Sequence, residues 1–321
     1  MYDIIMAPTD GSGFDREAIA VATRLSNAPG AQLKIVRVYS APMVFTGPDT
    51  VDFPREAIER ERQWESSQLG ALAAECAEST SAEVSSSLRE GPVADTLVSY
   101  ARENHVDLIV ITSHGRAGIA RAALGSVTDA LIRNTNIPVF VVKRTPSYLA
   151  EKETRPFRKI LVPLDGSKLA EEIIPQVIEL ATKNEAEVVL VNVLTPVNYS
   201  QKRIEDSALP WWENDISVAQ TYLGEQAERI RGLGVPASIE ITIGEDAADG
   251  ITRSASRLRA DLIAIATRGR GGFSRLMRGS VADKVVRASR QSLLVFHPQP
   301  HMTGKPLARA RTDFAAAIPA A

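Results

Sequence analysis

A chain of 321 residues with 44% hydrophobic side chains is too apolar to stay disordered and long enough for two ordinary domains. A formal net charge of −2 excludes a general electrostatic pull toward nucleic acid or acidic membrane, so any basic patch is local. The single cysteine, Cys76, excludes an internal disulfide and fits a reducing compartment. The stretch Met1 to Met6 lacks the basic region and long apolar run of a secretion signal and reads as a first strand. No apolar run approaches the ~20 residues that span a bilayer. The expectation is a soluble, cytoplasmic protein without a membrane or nucleic-acid partner.

In chain order, residues 3–8 predict an apolar strand leading to Asp10, and 13–26 carry a helical pattern. Residues 33–39 read as a second strand. Pro54 suits the first turn of a long helix reaching about Ser79. Residues 82–88 alternate as a third strand, 92–104 predict a helix, 107–112 a buried strand, 126–135 a helix and 139–142 a short last strand. After a polar, proline-flanked linker the order returns, with strands near 159–164, 187–193, 237–243, 261–266 and 292–296. Pro196, Pro210, Trp211 and Trp212 predict a loop or broken helix over 196–212. The adjacent tryptophans suit packing of that loop onto the domain, or a cover over a ligand. The boundaries expected are a first domain at 1–144, a linker at 145–157, a second domain at 158–298 and a tail at 299–321. The tail is rich in Pro, Ala and Arg without an amphipathic period. Such alternation predicts α/β domains, each a mostly parallel five-stranded sheet flanked by helices.

The two halves are copies. Ile4 through Ser12 matches Ile160 through Ser167, Val106-Asp107-Leu108-Ile109 matches Ala260-Asp261-Leu262-Ile263, and Gly125-Ser126-Val127 matches Gly279-Ser280-Val281. The offset is 155 at Asp10/Asp165 and 154 at Gly115/Gly269 and Gly125/Gly279, which marks duplication of a whole domain rather than a short solenoid period.

Ligands of open parallel sheets sit beyond the carboxyl ends of the strands, where the strand order reverses. Strand one ends at Asp10 and Asp165. Strand four runs into a glycine-rich loop and a helix: Ser113-His114-Gly115-Arg116-Ala117-Gly118 before Gly125-Ser126, and Thr267-Arg268-Gly269-Arg270-Gly271-Gly272 before Gly279-Ser280. Glycine lets backbone N–H groups approach phosphate oxygens, and a helix N-terminus adds unpaired donors and partial positive charge. Ser126 and Ser280 add a hydroxyl, and Arg116, Arg121, Arg268, Arg270, Arg275 and Arg278 can offset phosphate charge. The strand-one aspartate can accept from a ribose hydroxyl or an adenine amino group. A reading without a ligand stands beside this one. Ser126 to Asp129 and Ser280 to Asp283 also fit helix caps, and Asp10-Gly11-Ser12 fits an ordinary turn.

Over residues 2–143 and 158–298 the chain resembles the universal stress protein (UspA) family. The family motif is Gly-x2-Gly-x9-Gly-(Ser/Thr), and here nine residues separate Gly115 from Gly125-Ser126 and Gly269 from Gly279-Ser280. The resemblance implies two Rossmann-like domains of the adenine nucleotide alpha hydrolase-like kind. They would pair through their fifth strands as an intramolecular pseudo-dimer, with a homodimer of chains left open. It further implies that Asp10 and Val38 contact adenosine while Gly115, Gly125, Ser126 and Val127 surround the phosphates of ATP, with or without Mg2+, beside Arg116 of the residue reading. In the second half the matching residues are Asp165, Val193, Gly269, Gly279, Ser280 and Val281, beside Arg270. Two departures stand out. Thr112 and Ala266 replace the motif's first glycine, and Glu245-Asp246 stands where the first half has Pro92, so carboxylates there would repel phosphate if they faced it.

His114 is matched by Arg268, so it is not a shared general base. The histidines show no metal spacing, and the Gly-x4-Gly-Lys-(Ser/Thr) pattern of P-loop hydrolases is absent. The expectation is a nucleotide-sensing binding module rather than an enzyme. A nucleotide-free tandem scaffold and a slow ATPase are the alternatives.

Overall fold

A computed structural model of the chain describes residues 2–39, 55–113, 124–143, 157–195, 211–267 and 280–298. The first half comprises β1 (Ile4–Thr9), α1 (Arg16–Leu25), β2 (Gln32–Tyr39), α2 (Arg55–Ala77), β3 (Glu83–Glu90), α3 (Val93–Glu103), β4 (Leu108–Thr112), α4 (Ser126–Asn134) and β5 (Val139–Val142). The second comprises β6 (Lys159–Pro163), α5 (Lys168–Glu171), α6 (Ile174–Asn184), β7 (Glu187–Leu194), α7 (Trp211–Gly232), β8 (Ala237–Ile243), α8 (Ala247–Arg257), β9 (Leu262–Ala266), α9 (Ser280–Ala288) and β10 (Ser292–Phe296).

Both halves contribute to one sheet in the order β3-β2-β1-β4-β5-β10-β9-β6-β7-β8. Neighbours within each half run parallel, as strands joined by crossover helices must, and the two halves are joined by an antiparallel β5–β10 pair. The central strands are apolar on both faces because helices cover both. Ile5, Leu108, Ile160 and Leu262 pack with α1, α2, α6 and α7, whereas Met6, Ile109, Leu161 and Ile263 pack with α3, α4, α8 and α9.

Among the described residues, apolar, aromatic and charged contacts close the junction between halves. Leu293 faces Val141, Leu294 faces Phe140 and Val295 faces Val139 in the antiparallel register, all of them buried. Burial of each such side chain stabilises the fold by roughly 1.5–3 kcal/mol. Phe140 stacks on Phe157 with centroids 6.0 Å apart, and the Tyr2 hydroxyl donates to Gln176 Oε1 at 2.6 Å. On the opposite face, Arg133 of α4 grips Asp129 and reaches Asp283 of α9 at 3.4 Å, while Arg287 of α9 grips Asp283 and reaches Asp129 at 3.4 Å.

One expectation fails at its C-terminal end. Residues 196–210 lie outside the described residues, but 211 and 212 open the 22-residue helix α7 instead of closing a loop. In sequence Pro210 precedes the first helical residue, where a missing N–H costs nothing. The buried stripe Ala219, Leu223, Ala227 and Ile230 then holds the helix against the sheet.

Candidate functional site

The strand order reverses between β1 and β4 and again between β6 and β9, so each half has a crevice beyond these strand ends. In the first half β1 delivers Asp10 into a tight turn, with Gly11 at φ +71° and Asp10 Oδ1 accepting from Ser12 N at 2.8 Å. The turn is tied down by buried Asp15. Its Oδ2 accepts from the amides of Asp10 at 3.1 Å and Gly11 at 3.3 Å and from the Thr9 hydroxyl. In the second half Gly166 takes φ +81° and Asp165 Oδ1 accepts from Ser167 N at 2.9 Å. The turn reading therefore holds at Asp10, Asp165 turns in the same way, and each carboxylate stays at its strand end.

At the β4 end, the Gly125 amide donates to Ser113 O at 2.7 Å and the Thr128 hydroxyl to Thr112 O at 2.8 Å, which pins the start of α4 beside the strand end. Gly125 is the N-cap residue, with extended φ/ψ and no side-chain cap, and Ser126 is exposed at the first helical position. The cap reading of Ser126 to Asp129 does not survive. Ser126 lies one residue too far along to cap, and the Asp129 carboxylate goes to Arg133. Among the described residues no carboxylate or hydroxyl caps the first-turn amides of α4, at the positive end of the helix dipole.

Val38 and Val127, with their mates Val193 and Val281, are partly buried on one face of the sheet, the face covered by α3, α4, α8 and α9. The structure brings Asp10, Val38, Gly125, Ser126 and Val127 to the carboxyl ends of β1, β2 and β4, and Asp165 and Val193 to the matching ends in the second half. Ser280 opens α9. Gly115, Arg116, Gly269, Arg270 and Gly279 lie outside the described residues, as do His114, Arg121, Arg268, Arg275 and Arg278.

A sequence profile gives this arrangement its family. The profile of the universal stress protein family matches residues 1–143 and 156–297. The chain belongs to the universal stress protein family. A universal stress protein of Mycobacterium tuberculosis is 28% identical over 192 residues, 60% of this chain and 62% of that relative. The chain thus spans less than two thirds of that relative's length. Another from the same organism is 25% identical over 317 residues, with 91% of this chain and 94% of the relative covered. The crystal structure of a universal stress protein from Archaeoglobus fulgidus superposes with a TM-score of 0.69 at 17% identity, covering 92% of this chain and 99% of that one, a likeness of fold.

In this universal stress protein one of the two acids at the Pro92 position is tied down within its own domain. Asp246 is the N-cap of α8: its Oδ1 accepts from the amides of Ala248 at 2.9 Å and Asp249 at 3.1 Å, and its Oδ2 from Lys284 Nζ at 2.5 Å. The Lys284 ammonium and those amides hold its carboxyl below the usual carboxylate range. Its charge is balanced within the domain. Asp15 and Lys284 are site-shaping residues that sequence reasoning missed. Asp15 had a local signal, a carboxylate five residues after Asp10 where a helix begins; Lys284 had none, being 38 residues from its partner.

Proposed function

We propose that this universal stress protein binds ATP at the β1/β4 and β6/β9 crevices and works as a nucleotide-responsive binding module rather than as a fast hydrolase. The observation that carries the reading is the glycine-capped start of α4, whose first-turn amides take no side-chain cap from the described residues and lie beside the strand-one aspartate. Phosphate oxygens suit such a terminus, and Ser126 adds an exposed hydroxyl. Asp10 and Asp165 would accept from the nucleoside while the partly buried valines flank it. Among the described residues no group of three His, Cys, Asp or Glu side chains could hold a metal ion, so magnesium would arrive on the phosphates. Among the described residues no helix is long and apolar enough to cross a membrane, which agrees with work in the cytoplasm.

The test is nucleotide retention on purified protein, read by mass spectrometry, with melting followed at increasing Mg-ATP. Ligand at 100 times its Kd adds about 2.7 kcal/mol of stability. Asp10→Ala with Asp165→Ala should abolish both effects and leave the circular dichroism unchanged. Retention equal to the parent's would remove the adenosine contact from the proposal. If the parent itself neither retains nor responds to nucleotide, a tandem scaffold is the better reading, and the continuous ten-stranded sheet favours it.

A further inference from the structure

The duplicated domain contains its own control for what the fold requires. The sheet ends at β3 on one side and β8 on the other, and pairing registers make these edges equivalent. Ile35 pairs with Ser86 as Leu190 pairs with Ile239, and Tyr39 pairs with Glu90 as Leu194 pairs with Ile243. Ser86 and Glu90 are exposed, as polar residues at an edge should be. Their mates Ile239 and Ile243 are 36% and 51% exposed. The first half folds with serine and glutamate at these places, so the isoleucines answer no demand of the domain fold. An apolar, unguarded edge strand is a template for further pairing.

We infer that the outer edge of β8 is a dimerisation surface, and that its occupant is a second copy of this chain pairing antiparallel, β8 on β8, across a twofold axis. The edge complements itself antiparallel. Gly244 N donates to Leu194 O and Val188 N to Pro236 O, so even-numbered residues point their backbone groups at β7 and odd-numbered ones point outward. With Ile241 on the axis, Ile239 lies opposite Ile243 of the second copy and Glu240 opposite Thr242. Apolar cross-strand pairs of this kind are favourable, and no like charges meet. Moving the axis to Glu240 would set two glutamates face to face. Moving it to Ile239 would use Ala237 O, which already accepts from Arg231 Nε at 2.8 Å. The chain already joins domains this way, since β5 and β10 are edges of their own halves united antiparallel. A β8 pair would extend the same sheet, with the self-complementary contact that a closed twofold dimer requires.

Sedimentation velocity on the full chain over a concentration series tests the surface, independently of nucleotide. The parent should form dimers. Ile239→Ser with Ile243→Glu, which installs the first half's own residues, should weaken association at least about tenfold and leave the circular dichroism of the folded chain unchanged. Glu240→Cys with Thr242→Cys should give disulfide-linked dimers on mild oxidation, because the register sets these positions opposite each other. A parent that stays monomeric, as it would if its own tail covered the edge, overturns the inference. So does a Ser/Glu variant that associates as tightly as the parent, or a cysteine variant that associates without cross-linking.

Discussion

Lys143 and His297 sit 154 residues apart, and each reaches the last turn of the other half's final helix. Lys143 Nζ donates to Val286 O of α9 at 3.0 Å, while the His297 ring, hydrogen-bonded to Thr267 of its own half, lies beside the backbone of Ile132 in α4, and Ile132 and Val286 are themselves 154 apart. Both side chains are buried, and cations at a helix C-terminus suit the dipole. Burial pulls both below their ordinary pKa values.

For His297 the sign follows directly. The unfolded imidazole titrates near its ordinary value of about 6.5, and below that the unfolded chain binds more protons than the folded one. The stabilisation is whole above that value and is lost as pH falls through the lower, folded value. Melting temperatures compared at about pH 7.5 and about pH 5.5 should therefore fall with acid, and His297→Gln should flatten part of that slope. An unchanged slope would place the titrating groups elsewhere.

The four-residue cluster of Asp129, Arg133, Asp283 and Arg287 couples the halves only modestly, because its side chains are 28–40% exposed. A double-mutant cycle on Arg133→Gln and Asp283→Asn should give a coupling of about 0.2–1 kcal/mol, shrinking at high salt. Urea unfolding at low and high ionic strength would measure it. A coupling insensitive to salt would contradict the ionic account.

The strands were legible because central parallel strands buried on both faces must be continuously apolar, as Leu108 to Ile111 are. The turn at Asp10 was legible from the residues that tight turns favour, and the duplication carries it to Asp165. Partners distant in sequence were not. Nothing local to Asp246 announces Lys284, and nothing near Lys143 announces a carbonyl of the other half; both pairings depend on how finished helices pack. At Trp211 the preceding Pro210, with Pro196 further upstream, suggested a break, but helix boundaries are decided by which residues find a buried face, and among the described residues of α7 that face includes Ala219, Leu223, Ala227 and Ile230.

Equivalent glycines should respond differently to the same substitution. Gly11 and Gly166 both need left-handed backbone, so alanine at either is strained by about 1–2 kcal/mol. A Cβ at Gly11 would also lie 2.5 Å from Arg37 Nη1, whereas one at Gly166 meets nothing within 4 Å. Arg37 is ill placed to retreat, because its Nη2 donates to Glu65 Oε1 at 2.8 Å and the pair is nearly buried. Chemical denaturation should rank Gly11→Ala as the more damaging by ~1 kcal/mol or more. Equal losses would show that Arg37 moves aside freely.

Gly125→Asp separates the ligand role of the α4 terminus from its structural role. The φ of −60° and ψ of 147° at Gly125 are an N-cap conformation open to any L-residue, so aspartate fits the backbone as it stands. Its carboxylate would accept from the first-turn amides and oppose the dipole, adding a few tenths of a kcal/mol to about 1 kcal/mol of stability. The same carboxylate would occupy the donors assigned to phosphate and repel it. The variant should melt at or above the parent's temperature in buffer and lose first-half nucleotide binding, so binding titrations should be run in an Asp165→Ala background where only the first site is left intact. A variant that melts higher yet binds Mg-ATP as tightly as its background would show that the phosphates lie elsewhere.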